Sequence, residues 1–133
     1  MASLETLFEA AKMAREQAYA PYSSFRVGAA ILGDDGRVYA GCNVENAAYP
    51  TGTCAEAGAV AAMILGGGKA IAAVVVIGES DALCTPCGNC RQRLREFAKP
   101  STPVHVADGS GIRRTFTLEE LLPASFGPEN LDR

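Results

Sequence analysis

The sequence predicts an α/β fold in which a mixed β-sheet carries helices on both faces. Segments with helical spacing of apolar residues alternate with strand-like segments, in the order helix, hairpin, helix, strand, helix and strand. One strand-like segment, Ala72 to Ile77, is a continuous apolar run rich in β-branched residues, which is typical of a central strand buried on both faces. The chain has 133 residues, so we expect a single domain over residues 1–133.

The N-terminal part supplies a helix and a hairpin. Apolar residues recur at helical spacing over residues 4–11, with charged residues between them, and the helix should end before Pro21. Apolar and small residues then alternate from Phe25, a turn follows at residues 34–36, and a second strand begins. We therefore predict a hairpin over residues 25–43.

The rest of the chain supplies two helices and short strands. The segment from Cys54 to about Leu65 is apolar nearly all round, which predicts a helix buried in the core or at an oligomer interface. A second helix is predicted over residues 87–97. Short strands are predicted over residues 103–106 and 114–116, and a helical turn over residues 118–122.

Composition narrows the classes of function. Hydrophobic residues make up 48% and charged residues 20%, as in ordinary globular proteins. The net charge is −3 without a dense Lys/Arg run, which favours a small-molecule substrate and no nucleic-acid partner. The start of the sequence lacks a signal-peptide pattern, and the apolar run at residues 70–77 is far shorter than the ~20 residues that span a bilayer. We expect a cytoplasmic protein without a membrane partner, whose five cysteines are reduced, metal-bound or buried.

Two short stretches carry the chemistry, Thr-Cys-Ala-Glu at residues 53–56 and Pro-Cys-Gly-Asn-Cys at residues 86–90. Cys87 and Cys90 are three apart, so on a helix they share one face. Cys54 would add a third thiolate from another element. A catalytic zinc uses three protein ligands and keeps its fourth position for water. We predict one zinc per chain, held by Cys54, Cys87 and Cys90, with Glu56 moving protons beside it.

Both stretches also have the features of helix starts. Thr53 and Glu56 match a capping box, and Thr85-Pro86 matches a cap followed by proline in the first turn. Helix N-termini would then face the metal, and their positive ends favour thiolates.

Cys84 raises an alternative, because Cys54, Cys84, Cys87 and Cys90 could form a closed structural zinc site in a non-catalytic interaction domain. From cysteine spacing alone, the open three-cysteine site and the closed four-cysteine site are comparably well supported. Cys84 precedes Thr85-Pro86, so we expect its side chain to lie away from the metal. In the closed site Glu56 would have no role.

Polar residues after the hairpin form a second candidate site. Asn43 and Glu45 lie on one side of an extended chain and could together hold a sugar diol. From these residues alone, a polar loop with local turns is the favoured interpretation. Phe25 begins the hairpin, and the usual environment of a phenylalanine is the core.

The motifs together resemble the zinc-dependent nucleoside deaminases, and most closely the small, tetrameric cytidine deaminases. The resemblance rests on residues 20–30, 41–49, the two cysteine stretches and residues 121–126, in one order over nearly the whole chain. It implies a three-layer α/β/α sandwich with a central mixed sheet of about five strands. It also implies hydrolytic deamination of cytidine and deoxycytidine, with Glu56 as the proton carrier.

The resemblance further implies a set of substrate-binding residues: Phe25, Asn43, Glu45, Tyr49, Ala55 and Phe126. Phe25 would pack beside the base, Asn43 and Glu45 would hold the ribose, and the backbone of Ala55 would fix the base. Tyr49 and Phe126 would act at the pockets of neighbouring subunits, in a homotetramer.

The sequence departs from the family pattern at Ala57, where many members carry an arginine that hydrogen-bonds a zinc thiolate. Arg91, next to Cys90, is a candidate replacement donor. A deaminase of a related aminopyrimidine nucleoside, such as blasticidin S, is an alternative hypothesis. A polynucleotide deaminase is a third, against which the acidic balance argues.

Overall fold

The computed structural model describes residues 2–132, and a single five-stranded sheet organises them. The helices are α1 (Leu4–Glu16), α2 (Ala55–Leu65), α3 (Gly88–Arg95) and α4 (Leu118–Leu121). The strands are β1 (Gly28–Gly33), β2 (Val38–Cys42), β3 (Ile71–Ile77), β4 (Pro103–Asp108) and β5 (Gly111–Thr117). Two 3₁₀ turns cover Tyr49–Thr51 and Pro128–Leu131.

The sheet is mixed, as the sequence predicts. Its strand order is β2-β1-β3-β4-β5. The β3–β4 pair is parallel and the other three pairs are antiparallel. Strand β3, the apolar run of the sequence, lies at the centre and is buried at every position except Ala72. The predicted hairpin contains β1 and β2, which pair from Gly28 opposite Cys42.

Helices cover the two faces of the sheet and complete a three-layer sandwich. On one face Leu7, Phe8 and Ala11 of α1 join a core cluster with Val75 and other strand residues. On the other face α2 and α3 contribute to a second cluster around Ile31, Val74 and Val76. Alternate residues of the strands therefore feed two separate cores, as the period-two geometry of a strand requires.

Two glycines let the helices lie directly on the sheet. A Cβ atom at Gly28 would collide with the carbonyl oxygen of Ala11, and one at Gly41 would collide with the backbone of Ala55 and Ala59. The first contact seats α1 and the second seats the N-terminal half of α2. The start of α2 is thus fixed against the sheet by backbone contact.

The predicted helix caps are wrong, because each helix starts later than its apparent cap. Cys54 is the N-cap of α2 and Cys87 is the N-cap of α3, and neither makes a side-chain cap hydrogen bond. Thr53 is held extended by two backbone hydrogen bonds of 2.9 Å with Val44. A long-range pairing that sequence spacing cannot show therefore removes Thr53 from the capping position.

Helix α2 buries only one side. Ala59 and Met63 are fully buried, whereas Ile64 is 47% exposed and Leu65 is 91% exposed. The core thus accounts for part of the nearly all-apolar helix and leaves an apolar face uncovered within the protomer. Over residues 2–132, no helix combines the length and apolar character that a membrane crossing requires.

Candidate active site

Three thiols meet where α2 and α3 begin. Cys54 and Cys87 occupy the N-cap positions, and Cys90 lies in the first turn of α3, fully buried. Their sulfur atoms all lie within 4.8 Å of one another. The geometry therefore agrees with the sequence prediction that Cys54, from a distant element, lies close to Cys87 and Cys90.

The electrostatics of the three thiols fit a bound cation. Burial raises the pKa of Cys54 and, more strongly, of Cys90. Burial also acts to raise the pKa of Cys87, but hydrogen bonds from the backbone of Cys90 and Asn89 outweigh it and lower that pKa. Three thiolates this close would repel one another without a cation between them. Such a donor set suits zinc, which favours sulfur ligands.

Glu56 stands beside the three thiols as a buried carboxyl group. It is the second residue of α2 and only 4% exposed, yet it lines the same cavity as the cysteines. Loss of hydration raises its pKa above that of an ordinary glutamate. A carboxyl group with a raised pKa, placed at a cavity wall, is suited to accepting and returning protons.

The cavity has a volume of about 550 Å³, within the ~300–1,000 Å³ typical of small-molecule sites. Eight of the residues that the sequence singles out line it together: Asn43, Glu45, Tyr49, Cys54, Ala55, Glu56, Cys87 and Cys90. The metal-ligand cluster forms one part of the lining, and the loop that follows β2 forms another. One cavity therefore contains the predicted reactive groups and most of the predicted binding groups.

Asn43 and Glu45 are both engaged in hydrogen bonds with the loop before β1. The Asn43 side chain accepts from the amide of Val27 at 2.8 Å and donates to the carbonyl of Phe25 at 2.9 Å. Glu45 accepts from the amides of Tyr22 and Ser23 and from the Ser23 hydroxyl. The Ser23 hydroxyl is the main cause of a lowered pKa at Glu45. These partners lie 16 to 23 residues away along the chain, so the two side chains do not make the local turns of the first interpretation. The ribose-binding role stays a prediction.

The three aromatic residues of the predicted site occupy different positions. Phe25 is half-buried and, with Cys84, flanks Gly78, where a Cβ atom would lie 3.0 Å from its ring. Tyr49 is 75% exposed at the cavity rim, and its ring centroid is 5.8 Å from that of Tyr22. Phe126 is 57% exposed and is not among the residues that line the cavity of its own chain.

Cys84 lies in the cavity wall but outside the thiol cluster. Its side chain packs beside Gly78, at the end of β3. Within residues 2–132, the group of side chains close enough to share a metal comprises Cys54, Cys87 and Cys90. The geometry thus favours a three-thiol site with an open position over the closed four-cysteine alternative.

Arg91 has a role that sequence reasoning missed. Its guanidinium donates to the carbonyls of Pro86 (2.6 Å) and Leu121 (2.7 Å) and to the Thr85 hydroxyl (3.1 Å). All three acceptors are oxygens, so the expectation that Arg91 donates to a zinc thiolate is wrong. Arg91 instead braces the loop that presents Cys87. Leu121 is 30 residues away along the chain, and no local pattern signals the contact.

His105 lies in β4 and is not among the residues that line the cavity. Its Nδ1 atom is 2.7 Å from the hydroxyl of Thr115 on the paired strand β5. Of the one histidine and five cysteines, only the three clustered thiols are therefore arranged as metal ligands in the described chain.

Comparisons with known proteins agree with this geometry. Residues 1–106 match the family model of the cytidine and deoxycytidylate deaminase zinc-binding region. The chain is 42% identical over 128 residues to a cytidine deaminase of Sporosarcina psychrophila, covering 96% of this chain and 94% of that protein. It is 44% identical over 124 residues to a cytidine deaminase of Mycobacterium tuberculosis, covering 92% and 89%.

Solved structures show the same likeness. A crystal structure of cytidine deaminase from Burkholderia pseudomallei has a TM-score of 0.88 at 44% sequence identity, covering 94% of this chain and 100% of that one. The resemblance inferred from the motifs is thus confirmed over nearly the full length, as is the α/β fold. The chain belongs to the family of zinc-binding cytidine and deoxycytidylate deaminases.

Proposed function

We propose that this protein hydrolyses cytidine and deoxycytidine to uridine and deoxyuridine, with release of ammonia, as an enzyme of pyrimidine salvage. The observation that carries the proposal is the meeting of Cys54, Cys87 and Cys90 with the buried Glu56 in one nucleoside-sized cavity. The whole chain forms one catalytic domain in this proposal, because both helical layers pack on the same sheet.

When bound, zinc supplies an activated water as the nucleophile for C4 of the pyrimidine ring. Glu56 accepts one proton from that water and passes it to N3 of the base. It then takes the second proton from the hydroxyl formed on C4 and delivers it to the amine, which departs as ammonia as the C4–N bond breaks. Its place in the first turn of α2 holds the carboxylate next to Cys54 and the other ligands. Because the carboxyl group is buried, its proton is kept from exchange with bulk solvent during transfer.

Residues along the cavity place the nucleoside. The backbone of Ala55 borders the base next to Glu56, and Asn43 and Glu45, which line the same cavity, take the ribose hydroxyls. Glu45 is suited to this because its lowered pKa keeps it ionised, and an ionised carboxylate accepts from two hydroxyls. Phe25 is not among the lining residues; it lies beside Gly78 together with Cys84, which does line the cavity, and in the proposal it backs that wall beside the base.

The proposal includes a homotetramer in which neighbouring subunits complete the pockets. Two features of the protomer support it. The outer face of α2 exposes Ile64 and Leu65, an apolar surface suited to contact between copies of the chain. Tyr49 and Phe126 are exposed aromatics, at the cavity rim and outside the cavity respectively, and so are available to another protomer.

A cytoplasmic location fits the five free thiols.

The test is loss of cytidine ultraviolet absorbance by the purified protein, with metal content measured on the same sample. We expect one zinc per chain and turnover that a chelator abolishes and added zinc restores. Zinc at one per chain without turnover of either nucleoside would contradict the proposal. Parallel assays with blasticidin S and single-stranded DNA would then identify a related substrate.

A further inference from the structure

Arg95 is a buried cation that the proposed chemistry does not use. It ends α3 and is only 6% exposed. A guanidinium is costly to bury unless its donors are satisfied and its charge is paired. The hydrogen-bond and ion-pair partners of Arg95 therefore indicate its role.

Those partners lie on both sides of Phe126 in the C-terminal segment. The Arg95 Nε atom donates to the Ser125 hydroxyl at 2.9 Å, and Nη2 pairs with the Glu129 carboxylate. A third, longer bond of 3.4 Å goes to the carbonyl of Ala98. Between the two C-terminal partners, a Cβ atom at Gly127 would lie 2.5 Å from the guanidinium. The chain thus passes directly over the buried charge.

Gln92, one turn earlier on the same helix, adds a contact to Phe126 itself. Its side-chain amide donates to the Phe126 carbonyl at 2.9 Å. Arg95 and Gln92 therefore hold the backbone around Phe126 from one helix face. The Phe126 side chain is nevertheless 57% exposed and outside the cavity of its own chain. A segment that only anchored the C-terminus to its own core would be expected to bury its aromatic residue.

We propose that Arg95, with Gln92, is a positioning residue for substrate binding: it fixes the segment 125–129 so that the Phe126 ring projects from the protomer into the pocket of a neighbouring copy. The inference rests on the proposed function. It adds a chain of contacts from α3, which also carries Cys87 and Cys90, to a residue that serves another site. Loss of the clamp should therefore weaken nucleoside binding and leave metal binding and the chemical step in place.

Two mild variants test the inference without removing the buried cation. Glu129→Gln changes a carboxylate whose side chain is 61% exposed, and Gln92→Met keeps the shape but removes the donor to Phe126. Each should raise KM for cytidine roughly 3- to 10-fold, the range of one aromatic stacking contact, with kcat and zinc content unchanged. Glu9→Gln, on the exposed surface of α1, is the matched control and should leave both constants unchanged.

The decisive measurement is a double-mutant cycle with Phe126→Ala. If the clamp acts through the Phe126 ring, Glu129→Gln and Gln92→Met should have no further effect on KM once the ring is gone. Additive effects, or a fall in kcat together with zinc content, would assign Arg95 a purely structural role and overturn the inference. Absence of cytidine turnover in the unaltered protein would overturn the proposed function and the inference with it, so the two failures are distinguishable.

Discussion

Two parts of the cavity lining are built in different ways. In the metal-ligand part, Cys54, Glu56 and Cys90 sit at the starts of α2 and α3, which are packed on the sheet core. At the rim, Asn43 and Glu45 lie in a loop held by side-chain hydrogen bonds, and the exposed Tyr49 begins a 3₁₀ turn. The metal-ligand groups are thus placed by backbone packing, whereas the rim groups are placed by side-chain hydrogen bonds.

The largest effect is expected from removing a metal ligand. Cys87→Ser should reduce zinc content to near zero and abolish turnover, since a hydroxyl replaces a thiolate in a three-ligand site. Cys84→Ser is the matched control, because Cys84 lines the cavity outside the thiol cluster. Metal analysis of both variants checks this, and equal loss of zinc in the two would restore the four-cysteine hypothesis.

Removing Glu56, the proton carrier in the proposed function, should have the second largest effect. Glu56→Gln keeps the size and burial of the side chain and should lower kcat about 10²- to 10⁴-fold, the usual contribution of general acid–base catalysis, with zinc retained. Single-turnover kinetics and metal content on one preparation make the comparison. Loss of zinc in this variant would instead make Glu56 a ligand or a structural residue.

At the rim, Glu45→Gln should raise KM for cytidine on the order of 10-fold, as expected for loss of a charge-assisted hydrogen bond. The same variant assayed with 2′,3′-dideoxycytidine should show little change, because that substrate lacks the hydroxyls Glu45 would bind. An equal effect on both substrates would assign Glu45 to bracing Tyr22 and Ser23 alone.

The smallest effect is expected at the subunit boundary. Phe126→Ala should raise KM roughly 5- to 10-fold through loss of ring stacking on the base. Mixed oligomers of Phe126→Ala and Glu56→Gln chains should regain part of the unaltered KM, because an inactive chain can lend its Phe126 to an active neighbour. Mixed oligomers that keep the raised KM, or a monomer in sedimentation, would place the action of Phe126 within its own chain.

Much of the fold and the reactive centre follows from local patterns. Hydrophobic spacing predicts α1, and the continuous apolar run predicts β3 as a central strand. The centre follows in part, because residue type carries the chemistry: three cysteines and one glutamate, in two short stretches, indicate a zinc site, and the resemblance of the motifs to a known family favours hydrolysis there. Metal–thiolate geometry then leaves few arrangements of those stretches.

Contacts between residues far apart in the chain lie beyond those patterns. Pairing with Val44 holds Thr53 extended, so Cys54 replaces it as the N-cap of α2. Arg91 donates a hydrogen bond to Leu121, and Arg95 donates one to Ser125. In each pair the two residues are 30 positions apart in the sequence. The sequence alone does not show whether a polar side chain will be exposed or buried, because burial depends on the packing of the whole chain. Ligand identity is therefore encoded locally, while caps, braces and the outward direction of Phe126 depend on how the layers close on the sheet.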